Sequence, residues 1–142
     1  MFLLRAATSA DAPAVLALWR EAEAEPTHTD NLESVSQLLR RDPASLIVAE
    51  ENGRIIGSVI AGWDGWRYHL YRLAVHPDYR RQGVATLLLE RGQQRLVGLG
   101  ALRIDAMVRD DNQLGQSVWV ARGYHRQAEW SRWVKESLRS SG

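Results

Sequence analysis

The chain has 142 residues, 45% hydrophobic and 25% charged, with 18 basic and 17 acidic side chains giving a net charge of +1. A length and composition of this kind predict one soluble globular domain over residues 1–142 and exclude disordered and membrane-spanning classes. Cysteine is absent, so there is no disulfide framework, thiolate metal site or cysteine nucleophile.

Residues 2–6 are short and apolar and stop at Thr8, Ser9 and Asp11, which reads as a strand giving way to helix-capping residues. The helix that follows places Val15, Leu18, Trp19 and Ala22 on one stripe, with Pro13 in its first turn. After the break at EAEPTHTD, Asp30 and Glu33 form the pattern of a capping box, opening a second helix that is expected to bury Leu32, Val35 and Leu39. Ser45–Glu50 and Arg54–Gly62 are β-rich, and the Asn52-Gly53 pair between them supplies the positive φ angles of a tight hairpin. WDGW (63–66) is a turn, and Tyr68–Val75 a further strand ending at His76-Pro77. Residues 84–98 form a helix with Val84, Leu87, Leu88, Gly92 and Leu96 on one stripe. Leu102–Val108 reads as a buried strand, Asn112–Arg122 as a helix, and Tyr124–Lys135 as one or two strands. The last ~6 residues are expected to be flexible.

This order of elements implies an α/β fold: a mixed, mostly antiparallel sheet with helices on both faces. No stretch approaches the ~20 apolar residues that cross a bilayer, and the first residues lack the hydrophobic region of a secretory signal. A cytoplasmic protein is expected, with no membrane partner. The two charge signs are interspersed, which argues against a nucleic-acid partner.

The most informative segment is Leu73-Ala74-Val75-His76-Pro77-Asp78-Tyr79-Arg80-Arg81-Gln82-Gly83-Val84-Ala85-Thr86. It runs from a strand end through a turn into a helix whose first amides have no intrahelical partner. Gly83 and Ala85 remove bulk there, so a phosphate can approach those amides at the positive end of the helix dipole, and Arg80 and Arg81 add charge. Taken alone, Gly83 is equally compatible with simple packing. The loop has neither the lysine of GxxxxGK[ST] nor the pattern G-x-G-x-x-G, which sets aside nucleotide-hydrolysing and dinucleotide-binding loops.

Arg80-x-x-Gly83-x-Ala85, after a strand ending Leu73-Ala74-Val75-x-Pro77, resembles the acetyl-CoA loop of the GNAT superfamily of N-acetyltransferases. Asn112, Trp119 and Gly123-Tyr124 are similar to that family's second motif. The resemblance covers residues 2 to about 135 and implies the family fold, in which two parallel strands splay apart. It implies acetyl-CoA as co-substrate and no metal. Backbone groups of Leu73 and Val75, flanking Ala74, would pair with the pantetheine arm as with an added strand. Amides of Arg81, Gln82, Gly83, Val84, Ala85 and Thr86 would hold the pyrophosphate, with Arg80 starting the loop, and Asn112 would bond the pantetheine. Trp119 stands where many relatives place a tyrosine that protonates the departing thiolate. His69 lies four positions before Leu73, where several subfamilies carry a Glu or His proposed to take the proton from the amine. It is a candidate base or a polar lining residue, and Tyr71, on the same strand face if positions 69, 71, 73 and 75 alternate regularly, is a candidate acid, with Tyr124 or solvent as the alternatives.

Trp19 is expected in the core. Trp63 and Trp66 flank the turn near the acceptor entrance and either wall the substrate or cover the sheet edge; Trp130 and Trp133 line the acceptor cleft or a homodimer contact. The four histidines lack ligand spacing and HExxH is absent, so no metal is expected. His76 and His125 read as surface residues, Arg40-Arg41 as a solvated helix end, and Glu21, Glu23 and Glu25 as exposed charge beside a loop that reaches toward the acceptor. The leading reading is acetyl transfer to the primary amine of a small molecule or peptide by direct attack in a ternary complex. A protein N-terminal acetyltransferase and a non-catalytic acyl-CoA-binding module are the alternatives, the latter motivated by Trp119.

Overall fold

The computed structural model describes residues 2–22, 30–109, 113–136 and 138, and of residues 113–115 the backbone alone. Residues up to 109 and residues from 110 onward form two compact units. The first contains β1 (Leu3–Ala6), α1 (Ala12–Ala22), α2 (Leu32–Arg41), β2 (Leu46–Glu51), β3 (Arg54–Trp63), β4 (Tyr68–Val75), α3 (Val84–Gly98) and β5 (Asp105–Ala106). The second contains α4 (Gln113–Ala121).

The strands make one sheet in the order β1-β2-β3-β4-β5, antiparallel except for the parallel β4–β5 pair. The expected α/β architecture is therefore present. At the β2–β3 hairpin Asn52 and Gly53 take φ values of 52° and 79°, as a turn with two left-handed residues requires.

One sheet face carries α3 at close range. A Cβ at Gly57 would come within 2.8 Å of Leu88 and 3.1 Å of Val84, and one at Gly92 within 2.8 Å of Leu70. The glycines let helix and sheet meet without intervening bulk. The other face carries α1 and α2, where Val15, Leu18, Trp19, Val35 and Leu39 join Leu46, Val48, Ile60 and Ala74 in the core. Within the second unit, the Trp119 and Tyr124 rings meet edge-on at 5.0 Å.

Several expectations are corrected. Leu32 and Leu87 are 53% and 42% exposed, because each lies at the flank of its helix stripe while Val35 and Leu39, or Val84 and Leu88, take the centre. α2 is capped by Asn31, whose side chain accepts from the Ser34 N–H at 2.8 Å, and Asp30 is drawn instead into an ion pair with Arg72. Leu102 is fully exposed, and the strand expected over 102–108 shrinks to two residues. The described residues of 124–136 carry no strand; their alternating pattern has no ladder to pair with.

Candidate active site

β4 is the strand on which the predicted residues meet, and a β-bulge divides it. His69 opposes Gly62 and Tyr71 opposes Ile60, so both point to the α1–α2 face. Between Tyr71 and Ala74 two residues, Arg72 and Leu73, oppose Val59 alone, and Arg72 sits in the left-handed region at φ 54°. Beyond the bulge Ala74 opposes Ser58 on the α1 side, while Val75 opposes Gly57 on the α3 side. The regular alternation expected of 69, 71, 73 and 75 is thus overturned: His69 and Tyr71 share a face, and Val75 lies on the other.

The bulge also sets which peptide groups reach the free edge. Among the described residues β5 pairs with β4 at His69 and Leu70, and the Met107 N–H to Leu70 carbonyl bond (3.2 Å) follows directly. Past that point no described residue of β5 pairs with β4. The His76 N–H donates to the Ile56 carbonyl at 2.8 Å, toward β3, so alternation turns the peptide groups of Val75 and Leu73 to the open edge. The Arg72 carbonyl accepts from the Ser58 hydroxyl at 2.9 Å. Ser58 is fully buried and itself accepts from the Trp19 indole N–H at 2.8 Å. The Arg72 guanidinium lies 5.0 Å over the Trp19 ring and pairs with Asp30.

After β4, Pro77–Tyr79 makes a short 3-10 turn and Gly83 caps α3 at φ 80°. No atom lies within 4 Å of where its Cβ would project, so glycine serves the backbone angle and leaves the space before the helix open. Arg81 is also left-handed, at φ 64°, and backbone turns of this kind are common in anion-binding loops. Arg80 donates to the Ala22 carbonyl at 3.3 Å. Val84 is buried beneath the loop, and Arg81, Gln82 and Gly83 are exposed above it, with Ala85 and Thr86 half-buried.

At the other end of β4, His69 Nδ1 lies 3.7 Å from Asp105 Oδ2, and both side chains are about one-third exposed. The Tyr71 hydroxyl is pushed above its ordinary range by burial and, less, by Asp42. It lies 3.3 Å from where a Gly62 Cβ would stand. In the adjoining turn the N–H groups of Arg67 and Trp66 bond the Asp64 carboxylate and hold its pKa low. Trp63, 39% exposed, stacks on Tyr68 at 6.1 Å, and Trp66, 76% exposed, lies under the Arg67 guanidinium.

His76 is the residue that sequence reasoning misplaced. It is 8% exposed, its Nδ1 accepts from the Asp78 N–H at 3.1 Å, and its Nε2 lies 2.5 Å from Glu21. His-Pro at a strand end, where a ring nitrogen can cap the next turn, was the available signal. Trp19 is in the core as expected, His125 and Arg40-Arg41 are exposed, and Trp130 and Trp133 are 73% and 92% exposed. Asn112, His28, Glu23, Glu25 and most of the last six residues lie outside the described residues. Among the described residues no three His, Asp or Glu side chains are grouped to hold a metal, and no helix is long and apolar enough to cross a membrane.

Residues 12–127 match the model of the Acetyltransferase (GNAT) family. The chain belongs to that family. An acetyltransferase of Pectobacterium atrosepticum is 40% identical over 102 residues, 72% of each chain, and one of Yersinia pestis is 36% identical over 113 residues, 80% of each. Among solved structures, the PaiA N-acetyltransferase of Thermoplasma acidophilum in complex with coenzyme A is 15% identical with a TM-score of 0.78, covering 89% of this chain and 91% of that one. The ribosomal-protein-S18-alanine N-acetyltransferase of Escherichia coli, 23% identical, has a TM-score of 0.74 over 87% of this chain and 77% of its own. These two structures bear on the fold. Family membership and the curated relatives make this GNAT protein an acetyl-CoA-dependent N-acetyltransferase.

Proposed function

We propose that this GNAT protein transfers the acetyl group of acetyl-CoA to a primary amine by direct attack in a ternary complex, with His69 as base and Tyr71 as acid. The observation that carries the reading is the open edge of β4 leading directly into the Gly83-capped start of α3. An extended arm is recognised by main-chain bonds along a free strand edge, and a diphosphate by amides at a helix N-terminus. Both stand here in sequence along one ligand path, and the space that a Gly83 Cβ would fill is open, so the residues fit acetyl-CoA.

Leu73 and Val75 would pair with the pantetheine arm, and Arg81 to Thr86 would hold the pyrophosphate with their amides. When bound, acetyl-CoA supplies an acetyl thioester. The chain's own residues then have two tasks. An alkyl ammonium has a pKa near ~10 and must lose a proton before it can act as a nucleophile; imidazole is suited to receive it. His69 is the residue we assign to that task; its side chain lies on the α1–α2 face, which supports the reading. Tyr71, two residues nearer the bulge and kept protonated by its burial, is the residue we assign to return a proton to the departing thiolate.

A small-molecule or peptide amine is the acceptor class. A library of such amines, incubated with acetyl-CoA while free thiol release is followed, tests the reading. Turnover with one class of amine supports it, and tight acetyl-CoA binding with no turnover on any amine would replace it with a binding module.

A further inference from the structure

The two ends of β4 are out of phase with each other. The Leu70 carbonyl accepts from Met107, on the β5 side, so regular alternation would turn the peptide groups of Arg72 and Ala74 to the open edge. The His76 N–H, bonded to Ile56 on the β3 side, requires the opposite assignment, with Leu73 and Val75 at the edge. Both bonds exist only because the bulge inserts one residue between them. The left-handed conformation at Arg72 is costly for a non-glycine residue and persists only when its surroundings fix it.

The fixing group is identifiable from the direction of its hydrogen bonds. A carbonyl can only accept, so the Ser58 hydroxyl proton points to the Arg72 oxygen. An indole N–H can only donate, so Trp19 supplies the proton to Ser58 Oγ. The chain Trp19 to Ser58 to Arg72 therefore runs one way, and Ser58 is fully buried. We infer that Ser58 is a positioning residue that sets the phase of the β4 edge, so that the peptide groups of Leu73 and Val75 rather than those of Arg72 and Ala74 face the coenzyme arm. The inference rests on the reading of β4 as the coenzyme edge.

The experiment is Ser58→Ala, with amide hydrogen exchange along 70–76 in the free protein and acetyl-CoA affinity by calorimetry. In the wild type the Ala74 amide, turned to β3, should be protected and those of Leu73 and Val75 should exchange fast. Leaving the Arg72 carbonyl without its partner should reduce Ala74 protection and weaken acetyl-CoA binding by about tenfold to a hundredfold. Val48→Ala, an equally buried change in β2 away from the bulge, should lower the melting temperature and leave affinity within about twofold, since distant sites act independently. If Ser58→Ala does not fold, Ser58→Cys keeps the size with a weaker donor and should show the same changes in smaller measure. An exchange pattern and affinity unchanged in a folded Ser58 variant would overturn the proposal. A wild type with the expected exchange pattern but no acetyl-CoA binding would instead sink the coenzyme reading and leave the clamp standing.

Discussion

Glu21 in the last turn of α1 and His76 at the end of β4 meet with Oε2 and Nε2 2.5 Å apart. His76 Nδ1 accepts from the Asp78 N–H, and Nε2 faces both the Glu21 carboxylate and the Arg54 guanidinium, the latter 3.1 Å away. The pair ties α1 to the corner where the strand becomes the phosphate loop, and Arg80 adds a second tie through the Ala22 carbonyl. His76→Ala should lower stability by about 1–3 kcal/mol, chiefly because it removes a nearly buried ring whose partners at Glu21 and Asp78 are themselves half-exposed or more, read as a fall in melting temperature. Glu21→Gln keeps an acceptor and should cost much less. Equal melting temperatures for wild type and His76→Ala would show that the tie contributes nothing.

His69→Ala should lower kcat by about one to three powers of ten, what a general base typically contributes, with acetyl-CoA affinity unchanged. The low-pH limb of the rate profile should move as well. An unaltered profile would leave a mechanism in which positioning alone carries the reaction.

Tyr71→Phe keeps the ring in its place between Ile60 and Gly62 and removes only the hydroxyl. Burial raises the Tyr71 pKa, so the phenol stays protonated beyond the range of an exposed tyrosine and its loss of acid function belongs on the alkaline side of the profile. The expected result is a kcat reduced about tenfold or more with that alkaline limb gone. Gly62→Ala should act in the same direction and less strongly, because its Cβ would stand 3.2 Å from the Tyr71 ring, which must shift by a few tenths of an ångström. Full activity in both variants would exclude Tyr71 from the chemistry.

Gly83→Asp places a side chain and a negative charge where the pyrophosphate is proposed to sit. The free protein should lose about 1–2 kcal/mol, the cost of a left-handed non-glycine residue, since no neighbour crowds the site. Acetyl-CoA should raise the melting temperature of the wild type and not of the variant. A folded variant with normal affinity would move the phosphate site elsewhere.

Asp11 is held down from an ordinary 3.8 to about 2, chiefly by the Arg5 guanidinium and further by the Thr8 N–H. A carboxyl with a folded pKa below its unfolded one adds stability that is complete above about pH 4 and is lost as pH falls toward about 2. Asp11→Asn should therefore be less stable than wild type at neutral pH and converge with it in acid, which unfolding curves at the two pH values would show. Parallel curves across that window would refute the linkage.

The parts of the fold fixed by short-range chemistry were legible in the sequence: the Asn52-Gly53 turn, the stripe of α1 and, apart from Leu87, that of α3, and the strand-to-helix loop at Gly83. Features that depend on a partner distant in sequence were not. The bulge at Arg72 rests on Ser58 and Trp19, and nothing in YHLYRLAV itself marks the inserted residue. His76 looked like surface because its partners, Glu21 and Arg54, lie far away in the chain. Asp30 has the chemistry of a cap, and only the position of Arg72 shows why Asn31 takes that place instead. Of the site residues, His69 and Tyr71 were correctly paired on one face, for a stretch of strand that ends before the bulge.

The tryptophans give the molecule a built-in optical map. Trp19 and Trp119 are buried, whereas Trp66, Trp130 and Trp133 stand in solvent and Trp63 is partly exposed beside the turn that precedes β4. Emission from the sealed indoles resists a water-borne quencher, and emission from the exposed ones yields to it. With Trp130 and Trp133 replaced by Phe, the quenchable fraction belongs to the turn, and a ligand that settles there should shield it and leave the resistant fraction unchanged, so binding at that end of β4 can be followed without attaching any dye.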